Sequence, residues 1–188
     1  MIKKQFKDMF KYRESFMKKL YVVVDMQKDF IDGSLGTKEA QKMLPHMIER
    51  LAEVQAREDT DVIFTMDTHG SDYLETQEGK NLPVQHCIKG TDGWQIAEGL
   101  QVFAEKSVAI VEKPSFGYTG WQTIATDYDE ITLGGLCTDI CVISNAMLLK
   151  AFFPEIKLRI DSNCCAGVTV ESHINALNAM RMCQIEIV

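Results

Sequence analysis

No apolar run in this sequence approaches the roughly 20 residues that cross a bilayer, so no membrane contact is expected. No stripe of lysine and arginine is present either. The formal net charge of −7 is spread along the chain, which removes the electrostatic footprint of a nucleic-acid binder and leaves a small molecule as the expected partner. No internal repeat, low-complexity tract, long linker or break in composition divides the 188 residues, so one domain with a substantial core is expected. The first residues are basic and carry phenylalanines, but they lack the apolar stretch and small-residue cleavage site of a secretory signal. The chain is therefore expected to be cytoplasmic, with residues 1–17 an N-terminal extension without catalytic role and residues 18–188 the domain. The six cysteines include no C-x-x-C pair. A structural zinc site of that kind is unsupported, and most of the six are expected to be buried thiols.

Short apolar runs rich in β-branched residues recur at 20–24, 62–66, 108–111, 131–133 and 158–160, with a last candidate at 184–188. Their continuity predicts strands buried on both faces. Segments of helical length and period lie between them, at 39–56, 122–126, 140–151 and 170–180. Alternation of this kind predicts an α/β fold, a parallel sheet covered by helices, because parallel neighbours need crossover connections. In such sheets ligands bind outside the carboxyl ends of the strands. Asp25, Asp67 and Lys113 end the first three strands and Cys141 follows the fourth, so these four side chains are expected to converge on one edge.

Each suggests a chemistry. Cys141, in TDICV, is expected one or two residues into a helix, where the positive end of the dipole favours the thiolate. Asp25 at the rim of an apolar sheet becomes a better proton acceptor as burial raises its pKa. Lys113, in VEKPSFG, supplies the compensating charge. Asp67 and His69, in MDTHG, stand two positions apart and so share one side of the strand. With His86, in LPVQHC, they form a carboxylate and two imidazoles able to hold a divalent metal, for which zinc, iron and manganese all remain open. Glu75 and Glu78 are further ligand candidates.

Taken together, VVVDMQKDF, MDTH, LPVQHCIKGTDGW, VEKPSFGYTG, GGLCTDICV and DSNCCAGVTVESHINALNAM resemble the nicotinamidases of the isochorismatase-like cysteine hydrolase family. The resemblance implies a three-layer α/β/α architecture with a six-stranded parallel sheet. It implies an Asp25, Lys113 and Cys141 catalytic set beside a metal, zinc by first choice, held by Asp67, His69 and His86. The additional metal histidine of some members has no counterpart after His69. Tyr73 lies nearby, and Glu75 is the preferred substitute over Glu78. The implied activity is hydrolysis of nicotinamide, and of pyrazinamide, to the acid and ammonia through a Cys141 thioester. A cis peptide between Leu136 and Cys137 is expected, with the backbone N–H groups of Cys137 and Cys141 forming the oxyanion hole. Phe30 and Phe116 are the candidates to wall an aromatic ring. A homo-oligomer is expected, with Phe152, Phe153 and Pro154 as a contact surface. The alternatives are a metal-independent amidase of the same family acting on another carboxamide or carbamoyl compound, a vinyl ether hydrolase, which would lack the nucleophile, and a non-catalytic metabolite-binding relative.

Overall fold

The computed structural model describes residues 17–188. Apart from Met17, the expected N-terminal extension lies outside the described residues. Strand β1 (Lys19–Val24) is followed by the short helix α1 (Lys28–Ile31), the long α2 (Lys38–Gln55) and β2 (Thr60–Asp67). The connection to β3 (Ala109–Lys113) contains a single helical turn at Tyr73–Glu75, then α3 (Gln77–Asn81) and α4 (Gln101–Ala104). Helix α5 (Trp121–Ile124) precedes β4 (Glu130–Leu136). A π-helical turn, Thr138–Val142, runs into α6 (Ile143–Phe152), and β5 (Lys157–Ala166), α7 (Val170–Met182) and β6 (Glu186–Ile187) complete the chain.

The six strands form one parallel sheet in the order β3-β2-β1-β4-β5-β6, as expected. Period-two alternation in β1 divides the core. Tyr21 and Val23 pack with Met43, Met47, Leu51 and Val54 of α2, while Leu20, Val22 and Val24 pack with Val142, Ala146, Leu149 and Met180 on the opposite face. This makes three layers, α2 on one side of the sheet and α5, α6 and α7 on the other. Helix α2 starts where the Thr37 side chain accepts from the Ala40 amide, and its buried Ala40, Met43, Met47, Leu51 and Val54 form one apolar stripe.

The strand order reverses between β1 and β4, which makes the crevice beyond their carboxyl ends the switch point of the sheet. There β4 comes very close to β1: a Cβ on Gly135, whose φ is +132°, would lie 2.1 Å from the Val24 carbonyl oxygen. Only glycine fits. The Leu136–Cys137 peptide is cis, as the resemblance implies. The helix expected from residue 140 instead begins with the π-helical turn at Thr138, closed by the Val142 amide on the Cys137 carbonyl at 3.0 Å. That wider turn places Cys141 four residues into the helical run, so the expected position one or two residues from its start is corrected. No described helix is long and apolar enough to cross a membrane.

Candidate active site

The rim of the sheet builds the site strand by strand. Asp25 follows β1 with φ +48°, a left-handed conformation uncommon outside glycine but less so for aspartate. Its amide donates to the Thr65 carbonyl and hydroxyl oxygens, both at 3.2 Å, and the Thr65 hydroxyl donates to Asp25 Oδ1 at 2.6 Å. Lys113 ends β3 as the register partner of Asp67, which ends β2. Its Nζ lies 2.7 Å from Asp25 Oδ2, 3.1 Å from Asp67 Oδ1, 3.0 Å from the Ser115 carbonyl and 3.5 Å from Cys141 Sγ. Asp25 and Lys113 are both 0 % exposed, so the ammonium is the shared counter-charge of two carboxylates withdrawn from water.

Asp25 Oδ2 alone among the described buried side-chain oxygens and nitrogens has no hydrogen-bond partner. Lys113 Nζ forms an ion pair with it at 2.7 Å, and because a carboxylate oxygen carries two lone pairs, one remains free. Burial raises the Asp25 pKa, opposed by Lys113 and reinforced by Asp67. For Lys113 burial works against the charge, but Asp25, Cys141 and Asp67 outweigh it and hold the ammonium protonated well above its usual range. Cys141 is 5 % exposed. Its burial, then the nearby Asp25 carboxylate, push the thiol well above its ordinary pKa despite Lys113. Burial thus disfavours charge on the sulfur and on Asp25 alike, and each of the two groups opposes ionisation of the other.

The second group of side chains adjoins the first through Asp67. His69 Nε2 lies 2.9 Å from Asp67 Oδ2 and 3.8 Å from Glu78 Oε1. His86 Nε2 lies 3.6 Å from Asp67 Oδ2 and 3.7 Å from Glu78 Oε1. All four ligand atoms fall within 4.8 Å of one another. A tetrahedral ion about 2.1 Å from each donor would hold the donors roughly 3.4 Å apart, so this set has the dimensions of a cation site. His86 Nδ1 donates to the Val84 carbonyl at 2.9 Å, which leaves Nε2 as the ligating nitrogen. Burial tends to raise the Asp67 pKa, but hydrogen bonding to His69 and His86 and the Lys113 charge hold it well below the carboxylate range.

Glu78, not the favoured Glu75, joins this group. The buried Tyr73 takes the inward position of its helical turn, with its ring centroid 4.8 Å from that of His69 and 5.0 Å from that of His86, and this leaves Glu75 exposed. Thr76 then caps α3 by accepting from Gly79 N, which sets Glu78 in the first turn facing the imidazoles.

A cleft of about 650 Å³ opens beside the second group, lined by His69 and Glu78 together with Ser115, Phe116 and Ile140, which are close in sequence to Lys113 and Cys141. Phe116, 43 % exposed, forms part of its wall as expected. Phe30, 8 % exposed, belongs to the core cluster on the α2 side, and its ring centroid lies 5.6 Å from that of His86. Ile140, the neighbour of Cys141 in sequence, lines the cleft, while Cys141 itself is buried.

Three supporting residues were not singled out by sequence. Thr65 holds Asp25, as described above. The buried Asn145 donates to the Cys141 carbonyl at 2.8 Å and accepts from Tyr118 N and Trp121 Nε1, fixing the nucleophile-bearing turn to the loop after β3. The buried Gln27 brackets Asp67. The signal in each case was a polar residue inside an otherwise apolar or motif-bearing segment.

A thiol, a carboxylate and a shared buried ammonium thus gather at the switch point of a parallel sheet, adjoining a four-donor cluster with the dimensions of a cation site. Residues 19–188 match the family model described as the isochorismatase domain, and the chain belongs to that family. It is 26 % identical over 183 residues to the nicotinamidase/pyrazinamidase of Mycobacterium tuberculosis, covering 89 % of this chain and 96 % of that protein. The structure superposes on the nicotinamidase/pyrazinamidase of Bacillus subtilis with a TM-score of 0.80 at 25 % identity, covering 92 % of this chain and 100 % of that one. A pyrazinamidase of Pyrococcus horikoshii in complex with zinc shares the fold, with a TM-score of 0.76 at 21 % identity over 91 % of this chain and 98 % of that one.

Proposed function

We propose that this protein hydrolyses nicotinamide, and by the same route pyrazinamide, to the acid and ammonia. One observation carries the reading: a single buried ammonium, Lys113 Nζ, touches Asp25, Cys141 and Asp67 at once, joining a nucleophile and its base to the cation cluster. The nicotinamidase/pyrazinamidases of Mycobacterium tuberculosis and Bacillus subtilis, to which the chain is similar, agree with that chemistry.

In this reading the substrate carboxamide enters the cleft and its carbon meets Cys141 Sγ. Asp25 takes the thiol proton through the free lone pair of Oδ2 as the S–C bond forms. Lys113 stays charged throughout and offsets the negative charge passed between carboxylate and sulfur. The backbone N–H groups of Cys137 and Cys141 are assigned to the oxyanion. Cleavage of the C–N bond follows, with Asp25 returning the proton to the departing nitrogen, and ammonia leaves. Asp25 next deprotonates a water that attacks the thioester carbonyl. The C–S bond breaks, the acid is released and Cys141 recovers its proton. Asp67, His69, Glu78 and His86 would hold a divalent cation, zinc by first choice, which when bound would supply a contact that orients a ring nitrogen of the substrate.

Ammonia release from nicotinamide, pyrazinamide and benzamide, each with and without a chelator, tests this assignment. Chelation should raise KM for the two ring-nitrogen substrates by about 10-fold or more and leave benzamide, which lacks that nitrogen, nearly unchanged. Silence across the whole panel would end the assignment. An equal loss for all three would point to a metal-independent amidase with a structural cation. Glu78→Gln should weaken zinc binding by about 10-fold or more while Glu75→Gln leaves it unaltered, and the reverse order would return the fourth position to Glu75. Homo-oligomerisation belongs to the same proposal. Phe152, Phe153 and Pro154 line a surface groove with Tyr128 and Ile156, and a monomeric mass by light scattering would remove that expectation.

A further inference from the structure

The segment after β1 carries more polar residues than the proposed reaction uses. Asp25 has its part in the mechanism, but Gln27 and Asp29, two and four positions on, belong neither to the reacting groups nor to the cation donors. Gln27 is fully buried. Its Nε2 donates to the Asp67 carbonyl at 2.9 Å and to the Trp94 carbonyl at 2.8 Å, and its Oε1 accepts from the Asp67 amide at 2.7 Å. One side-chain amide thus satisfies both backbone groups of a cation donor, as a neighbouring strand would, at the place where the sheet ends. Asp29 grips the other arm. Its Oδ2 accepts from the Cys87 amide at 2.8 Å, directly after His86, at a residue held with φ +47°. Its Oδ1 accepts from Ser34 N at 3.2 Å, so both carboxylate oxygens are engaged.

The two arms are also tied to each other. The His69 amide donates to the Cys87 carbonyl at 3.0 Å, and the Lys89 amide to the His69 carbonyl at 2.9 Å. Backbone bonds stitch the same short segment to the loop, Lys28 N to the Gln95 carbonyl at 2.9 Å and Asp29 N to the Gly93 carbonyl at 3.0 Å. Gly93 packs so tightly on Asp29 that a Cβ there would lie 2.2 Å from Oδ2. The carboxylate therefore has no alternative rotamer on that side without displacing the loop.

From this we infer that Gln27 and Asp29 are positioning residues for the cation cluster. Gln27 fixes Asp67, and Asp29 fixes His86 through Cys87. The inference rests on the proposed cation site. Its physical content is that the donor set is held by side chains of a segment remote in sequence, so the base Asp25 and the cation are set by one rigid turn. Partners that orient ligands in this way typically account for 10–100-fold in metal affinity. Asp29→Asn keeps the shape of the carboxylate but must turn an NH2 toward either Cys87 N–H or Ser34 N–H. Gln27→Glu puts an oxygen against two carbonyl oxygens where Nε2 now donates.

The experiment is a competition titration of the full chain with zinc against a chromophoric chelator, read on the folded fraction, alongside the melting temperature of the metal-free form. Both variants should bind zinc about 10–100-fold more weakly than the unmodified chain, and Asp29→Asn should do so with little change in metal-free melting. Zinc affinity within about twofold of the unmodified chain in Asp29→Asn, whatever happens to melting, overturns the inference, because a purely structural role would move melting alone. If the unmodified chain itself binds no zinc, the cation part of the proposed function falls and this inference with it. That outcome is distinct from equal binding by chain and variants. Should Gln27→Glu fail to fold, Asp29→Asn decides alone.

Discussion

Cys141→Ala should abolish ammonia release from nicotinamide, lowering turnover by about 10⁴-fold or more, while the protein still folds and binds substrate. The sulfur sits in the apolar cluster formed by Val24, Ile63 and Val142, so its removal leaves a small void rather than an unpaired polar group. That costs about 1 kcal/mol, within the ordinary range for a point change. The chemistry loses much more. Without the thiol no covalent intermediate forms, and Asp25 has no proton to accept. The same change at Cys164 or Cys165 should leave turnover largely intact, since both are buried thiols outside the contact set of Lys113. Burial raises their pKa too, that of Cys164 to about 11, so high thiol pKa does not mark the nucleophile. Position beside Asp25 and Lys113 does. Steady-state ammonia assays with equilibrium binding of nicotinamide decide the matter, and near-normal turnover by Cys141→Ala would remove the covalent mechanism.

Much of this arrangement was legible in the sequence because strands buried on both faces are continuous apolar runs, and their final residues must lie on one edge. Asp25, Asp67 and Lys113 were placed by that rule alone. Cys141 was placed near the same edge, but the π-helical turn moved it further along the helical run than its motif suggested. Choosing between Glu75 and Glu78 required knowing which residue of the Tyr73 turn faces inward, and spacing cannot tell when helices are three and five residues long. Gln27, Thr65 and Asn145 bond backbone groups of Asp67, Asp25, and Phe116 and Tyr118, at least 27 residues away in sequence, and such contacts leave no pattern along the chain.

Lys113→Met should cost both fold and function, and the two losses can be separated. Methionine has nearly the length of lysine and keeps the packing, so what disappears is the charge and its hydrogen bonds. Two buried carboxylates, Asp25 and Asp67, then face each other without a counter-ion. Breaking a buried ion pair from one side typically destabilises by about 3–5 kcal/mol. Asp25 can escape part of that penalty by binding a proton, since burial already raises its pKa and Lys113 is the main opposing influence. A protonated Asp25 cannot accept the proton of Cys141, so turnover should fall by about 10³-fold or more even in the folded fraction. Adding Asp25→Asn to Lys113→Met removes one of the stranded anions. The double variant should therefore be more stable than Lys113→Met while remaining inactive. Chemical denaturation of the unmodified chain, the two single variants and the double variant gives the coupling energy directly. Recovery of stability would establish that Lys113 supports the fold through Asp25, while turnover stays absent in the double variant because it lacks the base. Normal turnover in Lys113→Met would show that the ammonium only neutralises buried acids and has no part in the chemistry.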